Sequence, residues 1–219
     1  MTFGEMFRKK LEQRYVLRPV DLKEDSLLKG SGMTFRLSCY EAEGLGHFFC
    51  MDMSGMLGMM KMETVILAVE TKKVPLINID YIKAMGKETM MAEYYDAAGD
   101  VIPEDIKKEF FSILNEDKAL EDYPTGDHWY NDILLPFTYR KKGKKMTDHF
   151  LKVGEREVDT FLRFIDEAEE TSKEERQKHT LNFAQSLLDN GGPAVDQFVK
   201  LFGKEKAEKV VKEYMYGIK

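Results

Sequence analysis

The sequence has few cysteines and lacks the common motifs for metals and nucleotide cofactors. Its 219 residues include only Cys39 and Cys50, too few for a disulfide scaffold, and no CxxC pair that would favour a structural zinc or an iron–sulfur cluster. No HExxH or Walker motif occurs, and neither Gly30-Ser31-Gly32 nor Gly44-Leu45-Gly46 continues into the dinucleotide-binding fingerprint. We therefore expect the chain to bind no metal and no nucleotide cofactor of its own.

Long apolar runs and an excess of positive charge are also missing. No run of about 18 apolar residues is present, so no membrane span is predicted. The 33 basic and 39 acidic residues give a net charge of -6, which disfavours binding to nucleic-acid phosphates. The first 15 residues carry charges where a signal peptide would be apolar. These features predict a cytoplasmic protein with neither nucleic acid nor membrane among its partners.

The remaining pattern predicts one domain over residues 1–219, of the α+β class. Between 33 and 96, five short runs rich in aromatic and β-branched residues are separated by polar or glycine-containing breaks, which indicates an antiparallel sheet. An early helix is predicted within 3–17. From 103 to 217 the apolar residues mostly follow a helical period, apart from an irregular stretch over 116–146. Helices that cover a mostly antiparallel sheet would bury these apolar residues.

Two segments have unusual compositions. Residues 51–62 contain six methionines, which either fill an irregular core or line a large flat apolar ligand. A basic run follows in the irregular stretch, and it is either a solvated loop or a patch that attracts an acidic partner or ligand carboxylates. The run consists of Arg140, Lys141, Lys142, Lys144 and Lys145.

Acidic side chains within the predicted strands are the candidates for proton transfer. Asp52, Glu63, Asp80 and Asp96 lie in this region, and a single carboxylate on a sheet usually faces water. Glu63 and Asp80 occupy adjacent predicted strands, so the two can meet in one pocket. Burial in an apolar pocket raises carboxylate pKa values and makes the group a usable proton donor near neutral pH.

Several short strings between residues 34 and 217 form a recognisable pattern. They are Phe35-Arg36, Met62-Glu63-Thr64-Val65-Ile66-Leu67-Ala68, Pro75-Leu76-Ile77-Asn78-Ile79-Asp80, Leu201-Phe202-Gly203-Lys204-Glu205-Lys206-Ala207-Glu208 and Tyr214-Met215-Tyr216. Together these strings resemble the ferredoxin-dependent bilin reductases and the related red chlorophyll catabolite reductase. Lys206 stands where that family usually has Trp, which is one departure from its pattern.

The resemblance implies an α/β/α sandwich and a catalytic role for acids. In that family, ferredoxin delivers single electrons to a bound linear tetrapyrrole, acidic side chains deliver protons, and no metal, flavin or nicotinamide takes part. Asp80 matches the position of the catalytic Asp, and Glu63 replaces a catalytic His or Asn 17 residues earlier. The catalytic Glu of some members falls at Met51, or at Asp52 after a shift of one residue.

The resemblance also implies which residues contact the ligand and the partner. Arg36, Met51 and Met62 are the expected ligand contacts, and the basic run at 140–145 is the expected docking site for a ferredoxin-like donor. The function that follows is reduction of a linear tetrapyrrole. Two alternatives stay open at this point: a protein of the same fold that binds a flat apolar ligand without chemistry, and a structural module whose methionines are simply core.

Overall fold

A computed structural model describes residues 1–124 and 126–218 of the chain. Helices and strands are largely separate along the chain: one helix comes first, a run of strands follows, and most helices come after it. The helices are α1 (Phe3–Glu12), α2 (Glu104–Glu116), α3 (Thr147–Glu167), α4 (Lys173–Asn190), α5 (Pro193–Phe202) and α6 (Lys204–Lys209), which continues as a π-helix over Val210–Met215. The strands are β1 (Leu17–Pro19), β2 (Leu27–Gly30), β3 (Met33–Ala42), β4 (Gly46–Gly55), β5 (Met60–Val69), β6 (Leu76–Ala84), β7 (Lys87–Tyr95), β8 (Glu121–Asp122) and β9 (Tyr139–Gly143).

These strands form one antiparallel sheet. Its strand order is β1-β3-β4-β5-β6-β7-β9-β8. β2 pairs with the N-terminal part of β3, and β1 pairs with the C-terminal part. The five consecutive strands β3 to β7 are joined as a meander by short turns, which confirms the antiparallel sheet predicted for 33–96. The runs of aromatic and β-branched residues locate these strands because a strand that is covered by helices on both faces is apolar on both.

The prediction that residues 116–146 are irregular is wrong in part. β8 and β9 lie in this stretch, and β9 adds to the edge of the sheet beside β7. Its sequence, YRKKG, has no strand-like apolar pattern. Backbone pairing with β7 holds it in the sheet, and ion pairs join it to β8: Lys141 bonds Asp122 at 2.7 Å and Lys142 bonds Glu121 at 2.8 Å. Such charge pairs between strands that are distant in sequence have no local signal.

Helices cover both faces of the sheet and give two separate cores. On one face, α1, α2 and α3 pack on the sheet through large side chains such as Phe7, Phe110 and Phe161. On the other face, α4, α5 and the C-terminal helices pack through Phe183, Phe198 and neighbours. This three-layer arrangement confirms the predicted α/β/α sandwich. No helix in the described part of the chain combines the length and the apolar character needed to cross a bilayer.

Candidate active site

A cavity of about 550 Å³ lies between the sheet and the second helical layer. Its floor is formed by side chains of β3 to β7. Its roof is formed by α4, by Gly192 and α5, and by Met215 and Tyr216 at the end of the C-terminal helix. Seven methionines line it, from the floor and from the roof: Met33, Met51, Met53, Met60, Met62, Met91 and Met215. Met51 and Met62 thus face the cavity, as the sequence analysis expects, and their contact with a ligand stays a prediction. Flexible, polarizable thioethers suit a large flat apolar guest.

Asp80 lies on the cavity floor, at the centre of a small polar patch. The hydroxyl of Thr64 donates to Asp80 Oδ1, and the amide of Asn78 donates to Asp80 Oδ2 at 2.8 Å. Desolvation by the apolar walls raises the pKa of Asp80 to about 6, against these two hydrogen bonds, which lower it. A carboxyl group with this pKa is partly protonated near neutral pH, so it is able both to give and to take a proton.

Glu93 is a second buried acid beside Asp80. Glu93 is on β7, directly opposite Asn78 of β6, and it also lines the cavity. The negative charge of Glu93 is one cause of the raised pKa of Asp80. Arg140 donates to Glu93 Oε1 at 2.8 Å, and the Tyr95 hydroxyl donates to Glu93 Oε2 at 2.5 Å. The site therefore combines an acid of raised pKa with a second acid that is held in place by an arginine and a tyrosine.

The structure corrects the expectation that Asp80 and Glu63 face one pocket. Glu63 pairs with Tyr81 across β5 and β6, whereas Asp80 pairs with Thr64. Residues directly opposite in an antiparallel pair point to the same face, and neighbours along a strand point to opposite faces. Glu63 and Asp80 therefore lie on opposite faces of the sheet, and only Asp80 lines the cavity.

Asp52 and Arg36 are on the same face as Glu63. Asp52 pairs with Glu63 across β4 and β5, and Arg36 pairs with Asp52 across β3 and β4. Neither side chain lines the cavity, so the expected placement of Asp52 as a proton donor and of Arg36 as a ligand contact is wrong. The 17-residue separation between Glu63 and Asp80 does not put them on one face, because the register of β5 and β6 decides which residues share a face. That register pairs Asp80 with Thr64. Likewise, the choice between Met51 and Asp52 falls to Met51 on the cavity face.

Glu63 has a structural position instead. Its Oε2 accepts the backbone N–H of Phe3 at 2.6 Å, at the first turn of α1. Desolvation raises the pKa of Glu63, and the negative charge of Asp52 adds to this effect. The carboxyl group therefore holds the N-terminus of α1 on the sheet.

The basic run is only partly as expected. Arg140 is mostly buried and bonded to Glu93, and Lys141 is buried and bonded to Asp122. These two side chains are not available as a free docking surface. Lys144 and Lys145 are exposed beyond the end of β9, and Lys142 is half-buried. The docking role of the three lysines stays a prediction.

Glu93, Thr64 and Asn78 are site residues that were not predicted from the sequence, although alternation along each strand gives part of the signal for them. On β7, Met91, Glu93 and Tyr95 alternate with Met90, Ala92 and Tyr94. On β6, Asn78 is two residues from Asp80, so period-2 alternation places both on one face. This alternation alone finds Asn78, whereas Thr64 and Glu93 lie on neighbouring strands and only the register places them beside Asp80. Arg140 had no such signal, since its strand was not predicted.

Comparison with known proteins gives a likeness in fold. No protein-family model and no curated protein sequence matches the chain. Among solved structures, the chain is similar to phytochromobilin synthase from tomato, crystallised in complex with biliverdin, with a TM-score of 0.75. The match has 13% sequence identity and covers 99% of this chain and 83% of that one. In its fold the chain resembles the ferredoxin-dependent bilin reductases, as the short sequence strings indicate.

Proposed function

We propose that this protein reduces a linear tetrapyrrole such as a bilin in the methionine-lined cavity, with Asp80 as the principal proton donor. The observation that carries the proposal is the position of Asp80: an acid with a pKa raised to about 6 on the floor of an apolar cavity. In support, a solved structure of the same fold contains biliverdin. The volume of about 550 Å³ lies within the range of ligand pockets, roughly 300–1,000 Å³.

The chemistry requires electrons and protons from separate sources. Reduction of one double bond takes two electrons and two protons. We infer that a ferredoxin-like protein supplies the electrons singly, as the family resemblance implies, and that the chain itself supplies protons. A first electron makes the bound tetrapyrrole a radical anion, which is costly in a cavity of low polarity. Transfer of the Asp80 proton to the ligand removes this charge.

The neighbours of Asp80 have supporting roles in this proposal. Thr64 and Asn78 donate hydrogen bonds to the carboxyl oxygens and fix their orientation. Glu93 keeps the pKa of Asp80 high through its negative charge. After each transfer Asp80 is an anion beside Glu93, and this repulsion favours the uptake of a new proton from water. The three groups are positioning residues, while Asp80 is the group that gives the proton.

An anaerobic absorbance assay with biliverdin and reduced ferredoxin tests the proposal. We expect the wild-type chain to bind biliverdin, seen as a shifted spectrum, and then to convert it into a product that absorbs at shorter wavelength. Asp80→Asn keeps the shape of the side chain but has no titratable proton. It should still bind, while reduction slows by about 100-fold or more, the lower end of general acid catalysis.

The variants Glu63→Gln and Asp52→Asn are matched controls, because these acids lie on neighbouring strands of the same sheet but face away from the cavity. Both should retain turnover. A spectral shift with no reduction by the wild-type chain would instead indicate a binding protein of the same fold. Undiminished turnover in Asp80→Asn would remove Asp80 from the mechanism.

A further inference from the structure

Four bulky apolar side chains are exposed to solvent at one end of the sheet. The turn between β4 and β5 holds Met56, Leu57 and Met59, of which Leu57 is fully exposed. The turn between β6 and β7 holds Met85, with 80% of its surface exposed. The two turns are neighbours, since the Met85 N–H donates to the Met59 carbonyl oxygen at 3.3 Å. We call this end of the sheet, with residues 31–32, 56–59, 85–86 and 144–145, the hairpin end.

The backbone at these turns is unfavourable for the residues that occupy it. Met56, Leu57 and Met85 have φ values of 51°, 56° and 52°, in the left-handed region that glycine and asparagine tolerate best. Met85 and Gly86 form a two-residue hairpin turn, in which Asn-Gly or Gly-Gly is favoured. Folding would therefore be served better by small polar residues at these positions. Large apolar side chains here are not explained by the stability of the chain itself.

Positive charge surrounds these side chains. Exposed lysines lie on the strands that enter and leave the turns and just after β9, although the whole chain has a net charge of -6. They are Lys61, Lys83, Lys87, Lys144 and Lys145. Among the described residues of these turns and of the first turn of α3, the acids are Glu88, which is bonded to Lys83 at 3.0 Å, and Asp148. The hairpin end is thus apolar at its tips and basic around them.

From this combination we propose that the hairpin end binds the surface of an anionic lipid bilayer. The apolar tips would enter the boundary between headgroups and acyl chains, and the lysines would pair with anionic headgroups, as in other interfacial proteins. The expectation that the chain has no membrane partner was based on its lack of a spanning segment, which does not bear on such peripheral binding.

The composition of the hairpin end favours a lipid surface over a protein partner. Protein interfaces are enriched in Tyr, Trp, Phe, Met and Arg and depleted in Lys, and of the enriched types the hairpin end has only Met. The hairpin end contains no Tyr, Trp, Phe or Arg, and it includes Lys144 and Lys145 with three further exposed lysines beside it. The tips also project from the fold as single side chains on separate turns, a shape suited to a deformable lipid layer. In addition, the candidate cavity reaches this end, because Met33, Met60 and Ile82 line it near the turns.

Vesicle sedimentation with the full chain tests the proposal. The vesicles are either phosphatidylcholine alone or phosphatidylcholine with about a third phosphatidylserine. We expect binding to the anionic vesicles, weaker binding to the neutral ones, and loss of binding at high salt, since exposed charges are screened within about 8 Å at physiological ionic strength. The double variant Leu57→Ser, Met85→Ser should weaken binding to anionic vesicles about tenfold or more, since each buried apolar side chain contributes substantially.

Matched controls separate this surface from general stickiness. Val101→Ser removes an exposed apolar side chain at another place on the fold, and Lys108→Gln with Lys118→Gln removes two exposed lysines elsewhere. All of these variants should bind anionic vesicles like the wild type. The tip variant should keep the thermal unfolding temperature of the wild type or exceed it, because the replaced side chains are exposed.

Two results would overturn the proposal. One is the absence of any sedimentation with anionic vesicles at low salt. The other is binding that is lost in Lys61→Gln, Lys87→Gln but unaffected in Leu57→Ser, Met85→Ser. That second result would show a purely basic patch, of the kind that an acidic protein uses.

Discussion

The proposed chemistry depends on one side chain, Asp80, whose carboxyl group accepts hydrogen bonds from Thr64 and Asn78 on the cavity floor. Asp80 ends an apolar run that resembles a known motif, and the structure places it in the cavity. Glu63 also lies in a matching string, 17 residues before Asp80, but the register of β5 and β6 places Thr64 opposite Asp80 instead. A shift of one residue reverses the face of a strand side chain, so distance in sequence alone cannot identify partners across a sheet.

At the residue scale, we predict that Glu93→Gln lowers the pKa of Asp80. The substitution removes a negative charge that raises this pKa, and it leaves the positive charge of Arg140 without its partner. Both effects favour the ionised form of Asp80. The reductase activity, which needs protonated Asp80, should therefore decline at lower pH than in the wild type. At pH values above the pKa of Asp80, each unit by which this pKa is lowered reduces the protonated fraction about tenfold. A pH profile of single-turnover reduction measures the shift.

The matched control for this prediction is Glu88→Gln, since Glu88 lies on the same strand as Glu93 but outside the cavity lining. Its profile should coincide with that of the wild type, within the pH range where it stays folded. If Glu93→Gln leaves the profile unchanged, Glu93 does not tune the acid.

At the scale of elements, the sequence predicted the existence of the central strands and most helices but not the ways in which they are tied together. α4 begins where Ser172 accepts the N–H of Glu175, a local signal that a sequence carries. The attachment of β9 by ion pairs and of α1 by Glu63 joins residues that are far apart along the chain. These contacts form only in the tertiary structure, so no local sequence pattern predicts them.

We predict that Glu63→Ala destabilises the protein by about 1–2 kcal/mol, because the N–H of Phe3 loses its acceptor at the N-terminus of α1. Glu63→Gln should cost less, since its amide oxygen still accepts this bond. Urea unfolding of the two variants measures the difference. Equal stability of Glu63→Ala and the wild type would show that the bond contributes nothing.

At the scale of the whole molecule, the two faces of the sheet have different contents. The face with α1, α2 and α3 is filled by aromatic and aliphatic side chains. The rings of Phe110 and Phe137, for example, stack with their centroids 4.6 Å apart. The other face leaves the cavity open above Asp80. The general division into layers follows from the amphipathic helices in the sequence, whereas the location of the cavity depends on how α4 and α5 rest on the sheet.

The filled core nevertheless holds a fully buried acid, Glu157 on α3, which makes stability depend on pH. The side chain is fully buried, and the Tyr94 hydroxyl donates to its Oε2 at 2.6 Å. Desolvation raises the pKa of Glu157 from an ordinary 4.5 to about 8. Between these values the folded protein keeps a proton that the unfolded chain has released. Linkage then requires that stability fall as pH rises, by up to about 1.4 kcal/mol per pH unit.

We predict that the free energy of unfolding decreases as pH rises from about 4.5 to about 8 and levels off above. Glu157→Gln has no proton to lose, so its stability should change less over this window, and the difference between the two proteins should grow in favour of Glu157→Gln towards pH 8. Asp80→Asn serves as the control, because Asp80 titrates near pH 6 and its contribution ends below the upper part of the window. Urea unfolding between pH 5 and pH 9 measures all three. A wild-type curve parallel to that of Glu157→Gln above about pH 6 would show that the folded protein already holds Glu157 ionised.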